Sequence, residues 1–207
     1  RVIQRLPRSL SAAVKAAGRH EHCTLFMTLL AAWQVLLFRY TGETNFCVGT
    51  PVAGRTQSET EPLIGMFVNT IPQRADLSGS PTFRQLLERV RRIALDAYSN
   101  QELPLERLIE AVRPDRTLAN SPLFQVMFQL RNYTPAVPNL CEVEVEELDF
   151  DPGVALFDRT LEATERDDEI VCLLNYNRDL LEAASAERML HHYSNLLEAA
   201  IQNLDQP

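Results

Sequence analysis

The chain has 207 residues, 45% of them apolar, and its 20 basic and 28 acidic residues leave a net charge of −8. That length supports a real core in one domain or two small ones, and with only 7 Gly and 12 Pro it excludes disordered and fibrous classes. The acidic balance excludes a general nucleic-acid or anionic-membrane binder, because neutralising phosphate requires a surplus of Lys and Arg.

The segment SLSAAVKAAGRH, residues 9–20, is Ala-rich and predicts a helix, with Gly18 placed to end it. Sixteen uncharged residues then run from Cys23 to Phe38. A membrane-spanning helix needs about 20 predominantly apolar residues. This shorter run holds Thr24, Thr28 and Gln34 between charged flanks, so it predicts a buried core helix ending near Gly42, and no membrane segment. FCVGTPVAGR, residues 46–55, reads as a strand feeding a loop. In IGMFVNTIPQR, residues 64–74, Phe67, Asn69 and Ile71 share one face of an extended segment, and Met66, Val68 and Thr70 share the other.

Ser80 as N-cap and Pro81 at the first helical position predict the next helix, with Phe83, Leu86, Leu87, Val90, Ile93 and Ala97 on its buried face. Its outer face carries Arg84, Arg89, Arg91 and Arg92 around Glu88 and Asp96. That pattern reads as a solvated surface, with docking of an acidic partner as the other reading. A short helix follows Pro104 to about Val112, and LFQVMFQL, residues 123–130, reads as a strand. CEVEVEELDF, residues 141–150, alternates as a strand with one wet face does. VALFDRTLEATER and EIVCLLNYN predict a hairpin turning at Asp167 and Asp168. A final helix sets Leu190, Tyr193, Leu197, Ala200 and Leu204 along one face. Helices and strands intermingle, so the fold class is α/β, a mixed sheet covered by helices.

Few residues suggest chemistry of their own. Cys23, Cys47, Cys141 and Cys172 are far apart with no CxxC pair, which predicts reduced thiols in a cytosolic protein and no zinc site. His191 and His192 share a predicted helix with Glu187, Asn195 and Glu198 and have no third ligand at metal spacing, so they read as a solvated face. His20 and His22 fall in a connection between helices and read the same way. Asp149 with Asp151, and Asp167 with Asp168, are carboxylate pairs, the second in a predicted turn where Asp serves the backbone. No GxSxG, Walker, HExxH or GxGxxG motif occurs. Asn69 is more informative: a polar amide on an apolar face either ties down backbone or lines a cavity.

IGMFVNTIPQR, NQELPLERLIE (residues 100–110) and NSPLFQVMFQLRN (residues 120–132) resemble, in order and spacing, successive conserved blocks of condensation domains from nonribosomal peptide synthetases. TLFMTLLAAWQVLLFRYTGETNFCVGTPVAGR resembles the same family's core helix and following strand. ALFDRTLEATER with LLNYNRDLL resembles its terminal hairpin. The resemblance covers nearly the whole chain.

That resemblance implies a chloramphenicol acetyltransferase-like lobe, one of two that form a V around an active-site tunnel. Acyl and aminoacyl groups would arrive on the phosphopantetheine arms of carrier proteins and be joined as an amide. The family's catalytic motif, HHxxxDG, is absent, and His191-His192 is followed by YSNLL and does not replace it. All matched blocks belong to the family's second half. Residues 1–207 are therefore expected to be a C-terminal lobe, a piece of a longer protein that begins here at Arg1, inactive without the N-terminal lobe and binding no cofactor itself. Its expected partners are that missing lobe, peptidyl and aminoacyl carrier proteins and neighbouring synthetase domains, in the cytoplasm.

Within the matched block, the resemblance sets Gly65, Phe67, Asn69 and Arg74 near the lobe interface and tunnel. Gly65 would permit close backbone approach, Asn69 would orient backbone or substrate, and Arg74 would anchor the strand or meet a carboxylate, a structural ion pair being its other reading. Residues from about Arg131 to Phe150 are the candidate for a segment crossing onto the first lobe. Glu102 and Leu105 replace the Asp and Phe usual in their block, and Arg159 stands where the family has an apolar residue. An arginine on the face of Phe157 and Leu161 requires either a carboxylate partner or an opening to water. The alternative of another class is a non-catalytic module that docks a carrier protein or a tailoring enzyme.

Overall fold

A computed structural model describes residues 1–112, 123–131, 151 and 153–206. In chain order the elements are β1 (Val2–Arg5), α1 (Arg8–His20), α2 (Leu25–Thr41), β2 (Asn45–Val52), β3 (Asn69–Asp76), α3 (Phe83–Ser99), α4 (Leu105–Val112), β4 (Val126–Arg131), β5 (Arg159–Arg166), β6 (Glu169–Tyr176) and α5 (Ala183–Gln202). The six strands form one sheet in the order β1-β6-β5-β4-β2-β3. β4 runs parallel to β2 and β5, and the other neighbours are antiparallel, so the sheet is mixed as expected.

The uncharged run makes α2 the centre of the core. Thr24 Oγ1 accepts the Met27 amide at 3.2 Å, and Gly42 closes the helix in the left-handed conformation that glycine adopts freely. Every residue from Phe26 to Gln34 is buried. Trp33 packs edge-on against Tyr193 of α5, and the Tyr193 hydroxyl donates to the Leu29 carbonyl at 2.9 Å. Each large apolar side chain enclosed this way contributes about 1.5–3 kcal/mol.

On the strands, alternate residues Val48, Ala75, Phe128, Leu161, Ala163, Cys172 and Leu174 enter the same core as α1, α2, α3 and α5. Their cross-strand registers put them on one face, so among the described residues these helices cover one face of the sheet rather than both. The hairpin turns at Asp167 and Asp168, both at positive φ, as the sequence predicts.

Two expectations need correction, and one element is new. Gly18 does not end α1, which continues to His20. Its hydrogen instead lets α1 lie against the start of α2, where a Cβ would stand 2.6 Å from Thr28 Oγ1. Ser80 does not cap α3: it adopts a positive φ, and Thr82 is the N-cap, in a reciprocal capping box with Gln85. β1 is an element that the sequence does not announce, since four residues with half-buried Val2 and Gln4 carry little pattern. The strand expected over residues 141–150, the crossing segment beyond Arg131, Cys141 and Asp149 lie outside the described residues.

Candidate functional site

β2 ends at Val52 directly opposite Asn69, the first residue of β3, so the intervening loop leaves and re-enters the sheet at one place. Gly54 has a φ of +65°, and a Cβ there would collide with the Phe67 carbonyl oxygen. The two limbs of the loop thus touch backbone to backbone at a position that excludes side chains. Arg55 lies between them. Its Nη1 donates to the carbonyls of Thr60 and, at 3.4 Å, Glu61, and its Nη2 donates to that of Leu63 at 2.9 Å. The same guanidinium sits 4.1 Å from the centre of the Phe67 ring.

Asn69 settles the choice its sequence left open by tying down backbone. Its Nδ2 donates to the Gln101 carbonyl at 2.9 Å and the Leu103 carbonyl at 2.8 Å, while Oδ1 accepts the Thr70 amide at 2.9 Å. Thr56 Oγ1 donates to Glu102 Oε1 at 2.8 Å. The β2–β3 loop and the connection between α3 and α4 are therefore joined twice, and two of the sequence blocks that carry the resemblance form one cluster.

Outward from it point Leu63, Ile64, Met66, Val68 and Leu103, all exposed, Ile64 and Met66 almost completely. Four of these five lie within six residues of one loop, a density of exposed apolar side chains that burial within this chain does not explain.

Gly65 and Phe67 belong to this cluster: a Cβ at Gly65 would meet the edge of the Phe67 ring at 3.0 Å, whereas the approach at Gly54 is to the Phe67 backbone. Arg74 does not join them. It lies five residues along β3 from Asn69, about 16 Å at a strand rise of about 3.3 Å per residue. Its Nε donates to Asn45 Oδ1 at 2.9 Å, an amide rather than a carboxylate. Burial pushes the facing Cys47 thiol up, with Arg74 opposing, and hydrogen bonds from Ser78 hold the Asp76 carboxyl low.

The sequence assigns no role to Arg55 or Gly54, although both fall within a segment that resembles the family. A guanidinium that binds carbonyls five, six and eight residues away follows the path of the loop, and no local spacing announces it. Gln73 and Thr50, on the core-facing side of β3 and β2, are also polar and buried, and their side-chain N and O atoms have no hydrogen-bond partner.

Two of the four histidines have other partners: His192 Nδ1 lies 2.9 Å from the Tyr40 hydroxyl, and His20 Nδ1 lies 2.8 Å from Glu21. Asp151 accepts the Gly153 amide and pairs with Arg1 at 3.6 Å, and Asp167 and Asp168 occupy the hairpin turn at positive φ. Arg159 is half-buried, its Nε has no hydrogen-bond partner, and no described carboxylate pairs with it. Cys23, Cys47 and Cys172 are free thiols, and burial lifts Cys172 to about 12. No group of three metal-ligating side chains occurs among the described residues, and no single described helix is long and apolar enough to cross a membrane. A groove of about 560 Å³ between α2, α3 and α5, lined by Phe38, Pro81 and Leu196, includes no residue of the cluster.

Comparison with known proteins gives a consistent answer. A family model described as "Condensation domain" matches residues 1–207. One of the linear gramicidin synthase proteins of Brevibacillus parabrevis is 48% identical over 204 residues, which are 98% of this chain and 3% of that protein. A solved four-domain nonribosomal peptide synthetase bound to AMP and glycine superposes with a TM-score of 0.91 at 27% identity, over 99% of this chain and 17% of that one. The X-domain in complex with OxyB from teicoplanin biosynthesis superposes with a TM-score of 0.85 at 27% identity, over 99% of this chain and 46% of that one.

Proposed function

Because the chain belongs to the condensation domain family over residues 1–207, we propose that it is the C-terminal lobe of a nonribosomal peptide synthetase condensation domain, acting in the cytoplasm in amide formation between carrier-bound thioesters. The observation that carries this reading is the joined loop cluster, in which Asn69 binds the carbonyls of Gln101 and Leu103 beside a loop that exposes Ile64 and Met66. A coverage of 46% of the solved X-domain chain supports a lobe rather than a whole domain.

In the reaction, an aminoacyl nitrogen attacks an acyl thioester carbonyl. A C–N bond forms, the C–S bond breaks, and the proton leaves the nitrogen as the phosphopantetheine thiol departs. Such a step needs a group to take or steer the proton, donors for the oxyanion, and both substrates held within reacting distance. Gly65, Phe67 and Asn69 would shape the tunnel wall at the lobe interface, and Arg74 would brace the strand behind it. The histidine of HHxxxDG would come from the N-terminal lobe. Acyl and aminoacyl groups would be presented on the phosphopantetheine of partner carrier proteins, with neighbouring synthetase domains supplying them.

The likeness to an X-domain solved with OxyB favours a second reading, a docking module for a tailoring enzyme. An intact-mass assay with loaded carrier proteins separates the two. Product only when an N-terminal lobe carrying HHxxxDG is added supports the half-enzyme. Product from this chain alone overturns the assignment of the chemistry to the other lobe. No product with the added lobe, against an active two-lobed control, favours the docking module.

A further inference from the structure

Arg55 makes three hydrogen bonds, all to main-chain carbonyls of its own loop, and its guanidinium lies over Phe67. Glu59 and Glu61 are close in sequence, yet no described carboxylate is within ion-pair distance of Arg55. A cation that ignores nearby acids and collects carbonyls is shaping backbone, not balancing charge. Those carbonyls belong to the turn at Ser58–Thr60 and the first residues of the apolar ridge. Among the described residues, the other charged side chains bonded to the loop each hold a single hydroxyl, Glu102 that of Thr56 at 2.8 Å and Glu59 that of Ser58 at 3.3 Å, so Arg55 alone spans several residues of it. Its side chains Leu63, Ile64, Met66 and Val68 face solvent, so hydrophobic burial does not hold it.

We propose that Arg55 is a positioning residue: with Gly54 and Phe67 it forms a clamp that pre-shapes residues 56–68 before any partner arrives. Gly54 supplies the close approach, the Phe67 ring supplies a flat seat, and the planar fork of Arg55 fixes the carbonyls of residues 60, 61 and 63 relative to that seat. Pre-shaping removes the ordering cost that a loose loop would meet on binding. Any benefit to partner binding rests on the lobe reading above, whereas the clamp itself does not.

The test is amide hydrogen exchange on the 207-residue chain and its Arg55→Ala and Arg55→Lys variants. The amides of Thr60, Glu61 and Leu63 bond to Gln57, Ser58 and Thr60 carbonyls and report directly on the loop. Exchange at these three amides is expected to rise by about tenfold or more in Arg55→Ala, with α2 amides unchanged as the control for folding. Arg55→Lys keeps the charge but loses the fork, and is expected to raise exchange there nearly as much. Unchanged exchange at these amides in Arg55→Ala overturns the clamp, and full protection in Arg55→Lys overturns the fork argument in favour of charge alone. Affinity for an N-terminal lobe carrying HHxxxDG is then measured for the same variants. A loss of about tenfold supports the pre-shaping role in binding. Raised exchange with unchanged affinity keeps the clamp and overturns the assignment of the ridge to that partner.

Discussion

Asn69 Nδ2 donates to the Leu103 carbonyl oxygen at 2.8 Å, across 34 residues of chain. With its second bond to Gln101, this one amide joins the start of β3 to the connection between α3 and α4. An amide suits that position because its NH2 serves two carbonyls while its oxygen takes the Thr70 amide.

Replacing Asn69 with Ala leaves both carbonyls without this donor, at an expected cost of about 1–2 kcal/mol. Asn69→Asp retains an acceptor for Thr70 but sets a negative charge against two carbonyl oxygens, and is expected to cost at least as much. Urea midpoints give the stability, and exchange over residues 100–104 shows whether the two loops part. Equal stability and unchanged exchange in both variants would mean that the join is incidental.

Much of the architecture is readable in the sequence because local chemistry and burial agree. Thr24, the apolar run and Gly42 mark α2 at both ends and in between, and Asp167-Asp168 marks a turn between two alternating segments. The start of α3 is misleading because Pro81 suggests a first helical residue, although Thr82 and Gln85 already spell the capping box used. The site is harder. Asn69 is visible as a polar residue on an apolar face, but its partners 32 and 34 residues away depend on how two loops meet. Arg55 gives no signal, since the carbonyls it binds exist in every loop and only the folded path brings them together.

Gly54 and Gly79 both have positive φ, +65° and +76°, but a Cβ at Gly54 strikes the Phe67 carbonyl whereas nothing lies within 4 Å of one at Gly79. Gly79→Ala should therefore cost only the left-handed backbone penalty, about 1–2 kcal/mol. Gly54→Ala should exceed it by about 1–3 kcal/mol because backbone has to move as well. Denaturant unfolding of the two variants measures the difference. Equal costs would show that the limbs of the loop separate freely.

Arg84 connects three parts of the chain, pairing with Glu21 after α1 and with Asp205 in the C-terminal tail at 2.9 Å. Its amide also donates to the Leu204 carbonyl at 2.9 Å. The His20 ring and then Arg84 hold the Glu21 carboxyl below its ordinary value, and Arg84 does the same to Asp205. A carboxyl whose folded value is depressed adds stability above its unfolded value, and that stability is lost as the pH falls through the folded one. Wild type should therefore exceed Arg84→Met in stability at neutral pH, and the gap should close below about pH 4, where the carboxylates protonate. Urea midpoints from pH 7 down to about pH 3 test this. A gap independent of pH would assign the role of Arg84 to its aliphatic stem.

Gly18 stands inside α1, where Ala would ordinarily favour the helix by about 1 kcal/mol. Here its Cβ would approach Thr28 Oγ1 to 2.6 Å and the Cys23 carbonyl to 3.2 Å. Both neighbours are held, since Thr28 Oγ1 donates to the Thr24 carbonyl and the Cys23 amide donates to the Gly18 carbonyl. The contact should outweigh the propensity, making Gly18→Ala destabilising by about 1–3 kcal/mol. Thr28→Ala removes the nearer obstacle, so the double variant should recover part of that loss relative to the sum of the singles. A double-mutant cycle by urea unfolding measures the coupling. Simple additivity would mean that α1 meets α2 without the close contact that the glycine allows.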